Sequence, residues 1–295
     1  MKLNDIKVVD YKITNYTKEH CYHRLRIEYL RDLDKIIFKP CCTCYLKSLE
    51  EPIVWNSDYF IEHVNQCIDE YRKFTLNDLS KWYTGCCMQS SFYGNQKIGL
   101  CHEYLYNAEL DTIENSILTT CNIKCIMCTC RNDVYNKKEA YLYNRLFDEL
   151  NYKDCTVVTT QCGEPLLYKK ELFNLIKQRK WKHMTILTNG TLLTENDIDF
   201  LSKYKDYIDI IISIDADIKD IYETIRVGAN FDIVYENLKT LIEKGLLKTI
   251  NCVVIKENES IVKDMNKRLL DLGLFNIHWL HTGKHDISMD KRNIL

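Results

Sequence analysis

The feature that most restricts the fold is an alternation of short apolar runs and amphipathic segments from about residue 111 onward. The runs are rich in Val, Ile and Thr, which is typical of strands buried on both faces. Six strands are predicted, at 114–120, 155–160, 184–189, 208–215, 249–255 and 276–281. The segments between them have helical periodicity, as in 231–245, where one apolar stripe ends at Gly245. This alternation predicts a parallel α/β sheet, either open or forming a closed or partial barrel.

Four chemically unusual stretches follow the first four predicted strands. They are the cysteine-rich loop 121–130, QCGEP at 161–165, TNG at 188–190 and SIDA at 213–216. In parallel α/β folds, reactive groups gather at the carboxyl ends of the strands. The sequence therefore predicts one site that is built from these four stretches.

Charge and hydropathy limit the partners. The 40 basic and 42 acidic residues give a net charge of -2, so no bulk field attracts nucleic acid or anionic lipid, although a local basic patch stays possible. The first 12 residues lack the apolar core of a signal peptide, and no stretch approaches the roughly 20 apolar residues that span a bilayer. We expect a cytoplasmic protein with neither a membrane nor a nucleic-acid partner.

The cysteine content indicates metal binding. Fifteen cysteines cannot all pair, and the cytosol keeps thiols reduced. Cys121, Cys125 and Cys128 have the spacing C-x3-C-x2-C, and three thiolates can hold three irons of a 4Fe-4S cluster while the fourth iron stays open. Structural zinc needs four ligands, and Cys130 could supply the fourth, so zinc remains an alternative.

These residues resemble the radical S-adenosylmethionine superfamily, whose cluster loop reads C-x3-C-x-aromatic-C. The resemblance runs from about residue 111 to the C-terminus and implies a partial (β/α)6 TIM-like barrel. Met127 stands at the aromatic position, where its thioether could pack against the adenine.

The resemblance also implies cofactor contacts at the strand ends. The GEP stretch at 163–165 matches the motif that supports the methionine amino group, with Cys162 in place of its first glycine, and Ser213 and Asp215 match polar residues that meet the ribose or the carboxylate. An ordinary turn is the alternative for Asn189, and a solvated helix-start residue is the alternative for Arg226. The implied contacts with S-adenosylmethionine are Met127, Gly163, Glu164, Pro165, Asn189, Ser213, Asp215, Arg226 and Ile255.

The chemistry that the resemblance implies is reductive cleavage of S-adenosylmethionine to methionine and a 5'-deoxyadenosyl radical, which abstracts hydrogen from a substrate. A flavodoxin or ferredoxin would supply the electron. If the reaction were an epimerisation, a thiol would have to return a hydrogen, and Cys162 and Cys130 are the candidates; either could equally be a spectator.

Residues 1–110 lack the β/α alternation and contain eight of the 15 cysteines, so we predict a Cys-rich N-terminal domain before a core at 111–295. The region resembles the SPASM or twitch auxiliary domains of radical enzymes that act on peptides, although those normally follow the barrel. The predicted ligands of a second Fe-S cluster, or of zinc, are Cys42, Cys44, Cys86 and Cys87.

Three functions stay open from the sequence. The favoured one is a radical enzyme that modifies a peptide or protein, because a second cluster suits a net oxidation of such a substrate. The others are a radical enzyme acting on RNA, a nucleotide or a small metabolite, and a non-catalytic zinc module that binds partners.

Overall fold

The computed structural model describes residues 24–30, 35–39, 112–128, 136–149, 155–159, 163–274 and 277–281. Six of the cysteines with predicted roles lie outside these residues, and their roles stay predictions: Cys42, Cys44, Cys86, Cys87, Cys130 and Cys162. None of the helices in the described part of the chain is long and apolar enough to cross a bilayer.

The described residues form ten strands, six α-helices and a 3-10 helix. The strands are β1 (Arg24–Leu30), β2 (Lys35–Lys39), β3 (Thr112–Ser116), β4 (Lys124–Cys125), β5 (Thr156–Thr159), β6 (His183–Thr188), β7 (Ile208–Ser213), β8 (Arg226–Val227), β9 (Leu247–Val254) and β10 (Ile277–His281). The helices are α1 (Lys137–Glu149), the 3-10 helix (Pro165–Tyr168), α2 (Lys169–Gln178), α3 (Glu195–Ser202), α4 (Lys219–Ile225), α5 (Phe231–Glu243) and α6 (Val262–Asp271).

The chain divides into two units. The first comprises the described parts of 1–118, 137–161 and 177–184. Strand β3 pairs in parallel with β1 and with β5, and β2 pairs antiparallel with β1. Ile27, Ile113 and Val157 are buried on these strands, and α1 contributes the buried Tyr143 and Phe147. Because β-branched side chains fit a buried pleated surface, these strands form the core of this unit.

The second unit comprises the described parts of 119–136, 162–176 and 185–295. Its main strands follow the order β6–β7–β9–β10, and β9 pairs in parallel with both β7 and β10. Ile210 and Ile212 of β7 are fully buried, as are Leu238 and Leu241 of α5. The apolar stripe predicted for this helix therefore faces the core.

The α/β class and the parallel strands are confirmed. All six predicted strands and all five predicted helices are present, with boundaries that differ by a few residues. The first strand shows the largest shift, since it spans Thr112–Ser116 instead of 114–120. Helix α4 was not predicted, because its seven residues are too few for a clear period and Ile218, at its N-cap, makes no side-chain cap.

The N-terminal region contains strands that the sequence did not indicate. Strand β1 lies within the predicted N-terminal domain and pairs in parallel with β3, which lies within the predicted core. The boundary between residues 110 and 111 itself stays a prediction.

Candidate cluster-binding site

The cysteine loop is held by a two-residue ribbon. Strand β4 pairs antiparallel with β8, which places Cys125 opposite Arg226. The Ile126 amide also donates a hydrogen bond to the Ile225 carbonyl at 2.9 Å, and the Cys128 amide donates to the Cys125 carbonyl at 3.0 Å. The backbone of the loop is therefore fixed both within itself and by a segment 101 residues further along the chain.

None of the three thiols of this loop is in a disulfide, and they are close enough to influence one another's pKa. Cys121 and Cys125 are half-buried, and Cys128 is exposed. Burial raises the pKa of Cys121, and it raises the pKa of Cys125 to about 11, with Cys128 adding to both shifts. Cys121 and Cys125 are therefore protonated near neutral pH before metal binds, and metal binding would release their protons.

Among the residues that the structure describes, no three His, Cys, Asp or Glu side chains converge as ligands of a single metal ion. Such convergence is what zinc needs, because its sulfur ligands lie about 2.3 Å from one centre. A 4Fe-4S cluster instead takes each thiolate on a different iron, so its ligands lie further apart.

Glu164 links the segment after β5 to the end of β6. Its side chain is fully buried, and its amide donates to the Thr120 carbonyl at 2.8 Å. The carboxylate accepts hydrogen bonds from the Leu166 amide at 3.0 Å, the Thr188 hydroxyl at 2.7 Å and the Asn189 amide at 2.8 Å. Burial raises the pKa of Glu164, and the hydrogen bonds from Asn189 and Thr188 oppose that shift. The carboxylate thus fixes both its own turn, through Leu166, and the turn after β6, through Thr188 and Asn189.

The residues flanking Glu164 set this bend. Gly163 has a φ of 78°, in the left-handed region that glycine tolerates, and Pro165 begins the 3-10 helix. The GEP stretch is therefore a built turn at a strand end, as the sequence predicted.

Asn189 connects the turn after β6 to the cysteine loop. Its Nδ2 donates to Asn122 Oδ1 at 3.0 Å and to Cys121 Sγ at 3.6 Å. Asn122 Nδ2 donates to Thr191 Oγ1 at 2.7 Å, and Thr191 Oγ1 donates to Asn189 Oδ1 at 2.7 Å. The side chains of Asn189, Asn122 and Thr191 thus form a closed ring of hydrogen bonds, and Asn189 donates one further bond from this ring to the Cys121 sulfur.

Asp215 and Arg226 form a buried ion pair next to Cys125. Arg226 Nε lies 2.8 Å from Asp215 Oδ2, with side chains that are 6% and 0% exposed, although the N–H is not aligned for a hydrogen bond. Asp215 Oδ1 accepts from the Val253 amide at 2.8 Å. Burial alone would lower the pKa of Arg226, but Asp215 and then Cys125 hold it above its ordinary value. The guanidinium is therefore charged, and its Nη1 donates to Cys125 Sγ at 3.8 Å.

The remaining predicted contacts border this set of residues. Met127 is half-buried within the loop, and Ser213 lies at the end of β7 in register with Asn251. The Ile255 amide donates to Asn258 Oδ1 at 2.8 Å. Their contacts with a cofactor stay predictions.

Sequence reasoning missed four polar residues of the site: Asn122, Thr188, Thr191 and Asn258. Thr188 and Thr191 flank Asn189 and Gly190 in TNGT, where hydroxyls next to a turn could have been suspected. Asn258 donates to the Asp215 and Val253 carbonyls at 2.7 and 2.8 Å, and the bond to Asp215 joins segments 43 residues apart, which leaves no local signal.

The described residues combine parallel β/α units with a three-thiol loop and with buried polar groups at the strand ends. This combination is typical of enzymes that hold a metal cluster at the mouth of such a fold. The Radical SAM superfamily model matches residues 115–269, which is more than half of the chain. The chain therefore belongs to the radical SAM superfamily and is an enzyme of that class.

Two curated relatives illustrate the range of this similarity. The chain is 28% identical over 209 residues to the GTP 3',8-cyclase of Petrotoga mobilis (strain DSM 10674 / SJ95), covering 63% of each protein. It is 28% identical over 105 residues to the antilisterial bacteriocin subtilosin biosynthesis protein AlbA of Bacillus subtilis (strain 168), covering 35% of this chain and 23% of AlbA. The chain thus spans less than two thirds of the length of these relatives.

Solved structures also resemble the chain. Streptococcus suis SuiB bound to its precursor peptide SuiA has a TM-score of 0.48 and 16% identity, covering 86% of this chain and 63% of SuiB. Native anSMEcpe with bound AdoMet has a TM-score of 0.46 and 22% identity, covering 58% of this chain and 51% of that protein.

Family membership implies a 4Fe-4S cluster and S-adenosylmethionine as cofactors. The described residues fit the cluster, because three thiols that are not in disulfides lie in one loop, and two of them accept hydrogen bonds from side-chain N–H groups. Donors of this kind are what thiolate ligands of a metal require around them.

Proposed function

We propose that this radical SAM enzyme modifies a peptide or protein, in the maturation of a ribosomally made peptide or a similar reaction. The observation that carries the proposal is the similarity to AlbA, a protein named for bacteriocin biosynthesis. The near-neutral charge of the chain supports it, since it provides no bulk attraction for RNA.

In this proposal Cys121, Cys125 and Cys128 hold the 4Fe-4S cluster. When bound, the cluster and S-adenosylmethionine supply the electron and the radical that starts hydrogen abstraction, and the protein supplies binding and orientation. Glu164 and Asn189 hold the turns that border the cofactor, and a flavodoxin or ferredoxin delivers the electron.

The other cofactor contacts are proposed from the strand ends. They are Met127, Gly163, Pro165, Ser213, Asp215, Arg226 and Ile255. A second cluster on Cys42, Cys44, Cys86 and Cys87 belongs to the same proposal if the reaction is a net oxidation. If the reaction is instead an epimerisation, Cys162 or Cys130 returns the hydrogen.

A nucleotide substrate is the second candidate, because the similarity to the GTP 3',8-cyclase extends over 209 residues. The two candidates differ in what stimulates turnover. We would reconstitute the protein anaerobically with reductant and S-adenosylmethionine, then compare release of 5'-deoxyadenosine with precursor-type peptides and with GTP. Stimulation by peptide supports the proposal, whereas stimulation by GTP alone favours the nucleotide.

Iron and sulfide counting tests the metal sites separately from the substrate. Replacing Cys121, Cys125 and Cys128 together by alanine is expected to remove about four irons. A fall from about eight to about four would support a second cluster, and a fall from about four to zero would leave one. Cys155→Ala is the matched control, because this buried thiol lies immediately before β5, at the amino end of that strand, and its loss should leave iron unchanged. Zinc without labile sulfide in the parent protein would indicate the non-catalytic module instead.

A further inference from the structure

Arg226 is fixed to the cysteine loop through both its backbone and its side chain. Its backbone lies opposite Cys125 in the β4–β8 ribbon, and its Nη1 donates to Cys125 Sγ at 3.8 Å. These two attachments involve the same pair of residues, so the ribbon keeps the base of the Arg226 side chain beside Cys125.

Asp215 restricts the guanidinium from the other side. Its Oδ2 lies 2.8 Å from Arg226 Nε, while its Oδ1 accepts from the Val253 amide and its own carbonyl accepts from Asn258 Nδ2. Asp215 is thus held by β9 through its carboxylate and by the turn after β9 through its main-chain carbonyl, which keeps its Oδ2 facing Arg226. The guanidinium is therefore preorganised, and its direction is toward the thiol.

We propose that Arg226 is a positioning residue that raises the reduction potential of the cluster by donating a hydrogen bond to the Cys125 sulfur, with Asp215 holding the guanidinium in place. This role goes beyond the proposed function and rests on its assignment of Cys125 as a cluster ligand.

The physical reason is electrostatic. Reduction adds one negative charge to the cluster, and hydrogen bonds to the sulfurs and nearby charge set Fe-S potentials. Arg226 is buried, so its positive charge acts at low effective dielectric and is poorly screened by salt. Asp215 offsets part of that charge but lies on the Nε side, whereas Nη1 faces the sulfur. The reduced state is therefore stabilised relative to the oxidised state.

The test is the midpoint potential of the reconstituted protein, measured by EPR-monitored titration without S-adenosylmethionine. Arg226→Gln is expected to shift the potential to a more negative value. Arg226→Lys should show a smaller negative shift, because an ammonium keeps the charge but cannot bridge Asp215 and Cys125 as the planar guanidinium does.

The matched control is Arg268→Gln. Arg268 also pairs with an aspartate, donating from Nη2 to Asp217 Oδ1 at 2.8 Å, but it is exposed, and its contacts do not include the loop thiols. Its replacement should leave the potential unchanged. Omitting S-adenosylmethionine matters, since an arginine that served only to bind the cofactor carboxylate would not affect the potential in its absence.

An unchanged potential in Arg226→Gln with full iron content overturns the proposal. If the glutamine variant does not retain the cluster, the lysine variant is the test, and an unchanged potential in the lysine variant also overturns the proposal. The absence of a 4Fe-4S cluster from the parent protein would overturn this role and the proposed function together, whereas an unchanged potential overturns this role alone.

Discussion

Replacing Gly190 by alanine tests how closely the turn beside the cluster loop is packed. Gly190 has a φ of +77°, and a Cβ at this position would lie 2.6 Å from Ile212 Cδ1, 3.2 Å from Ile212 Cγ1 and 3.4 Å from Val234 Cγ1. Its carbonyl also accepts a hydrogen bond from Asn237 Nδ2 at 3.0 Å. The turn therefore cannot move away from Ile212 without losing that bond.

Two costs add in the alanine variant. The left-handed conformation costs an L-residue about 1–2 kcal/mol. Forcing an extra carbon into a packed interior costs about 1–3 kcal/mol, and the lower value applies if Ile212 Cδ1 can rotate away. We expect Gly190→Ala to lower the free energy of unfolding by about 2–5 kcal/mol.

Gly245→Ala separates the two costs. Gly245 has a φ of +67°, but no described atom lies within 4 Å of its would-be Cβ, so only the conformational cost of about 1–2 kcal/mol applies. Ile212→Val removes the nearest carbon and should recover part of the loss in the Gly190→Ala background, although alone it costs about 0.5–1.5 kcal/mol.

The assay is denaturant unfolding of anaerobically purified variants with matched iron content. The steric argument is refuted if Gly190→Ala and Gly245→Ala differ by less than about 0.5 kcal/mol, which is the usual error of such comparisons. It is also refuted if Ile212→Val costs the same in both backgrounds, since the two sites would then not be in contact.

Two further predictions concern charges. Asp215→Asn is expected to lower the free energy of unfolding by about 3–5 kcal/mol, because it leaves Arg226 buried without its counter-ion. The control is Glu236→Gln, which breaks an exposed ion pair and should cost less than about 0.5 kcal/mol, so equal losses in denaturant unfolding would contradict the prediction. Burial alone would raise the pKa of Asp197, but hydrogen bonds, led by that from Lys169, hold it below its ordinary value. Its stabilisation is therefore present above the unfolded pKa of about 4 and is lost as the pH falls through the lower folded pKa. The loss of about 1 kcal/mol caused by Asp197→Asn at neutral pH should become smaller in unfolding measured near pH 3, and an undiminished loss would contradict this.

Buried strands and long amphipathic helices were predictable because their signal is local. The runs that became β7 and β9 consist largely of β-branched residues, and α5 shows a full apolar stripe over 13 residues. Helix α4 and the β4–β8 ribbon depend instead on tertiary contacts. The ribbon has two residues in each strand, and a pairing between positions 101 apart leaves no periodic trace in the sequence.

The site was predictable at the level of segments but not of partners. The stretches that contain Glu164, Asn189 and Asp215 were singled out because the strand ends of a parallel sheet share one edge, and the resemblance to the superfamily implied these three residues as cofactor contacts. Which of their atoms meet could not be predicted, because Asn189 donates directly to Cys121 and Asn122, which lie 68 and 67 residues away in the chain. Long-range pairing of this kind depends on strand order and register, which the sequence of a single segment does not determine.

The cysteine loop depends on the rest of the second unit for its shape. The Glu164 amide bonds the residue before Cys121, Asn189 reaches Cys121 itself, and Arg226 pairs with Cys125. These three supports come from three separate segments, after β5, after β6 and in β8, so they exist together only when the chain has folded. The unfolded chain carries the same thiols without the donors around them. A cluster that needs those donors binds the native state preferentially, and by linkage it stabilises that state in proportion to the preference. Folding and cluster assembly are therefore coupled through the same hydrogen bonds that orient the ligands.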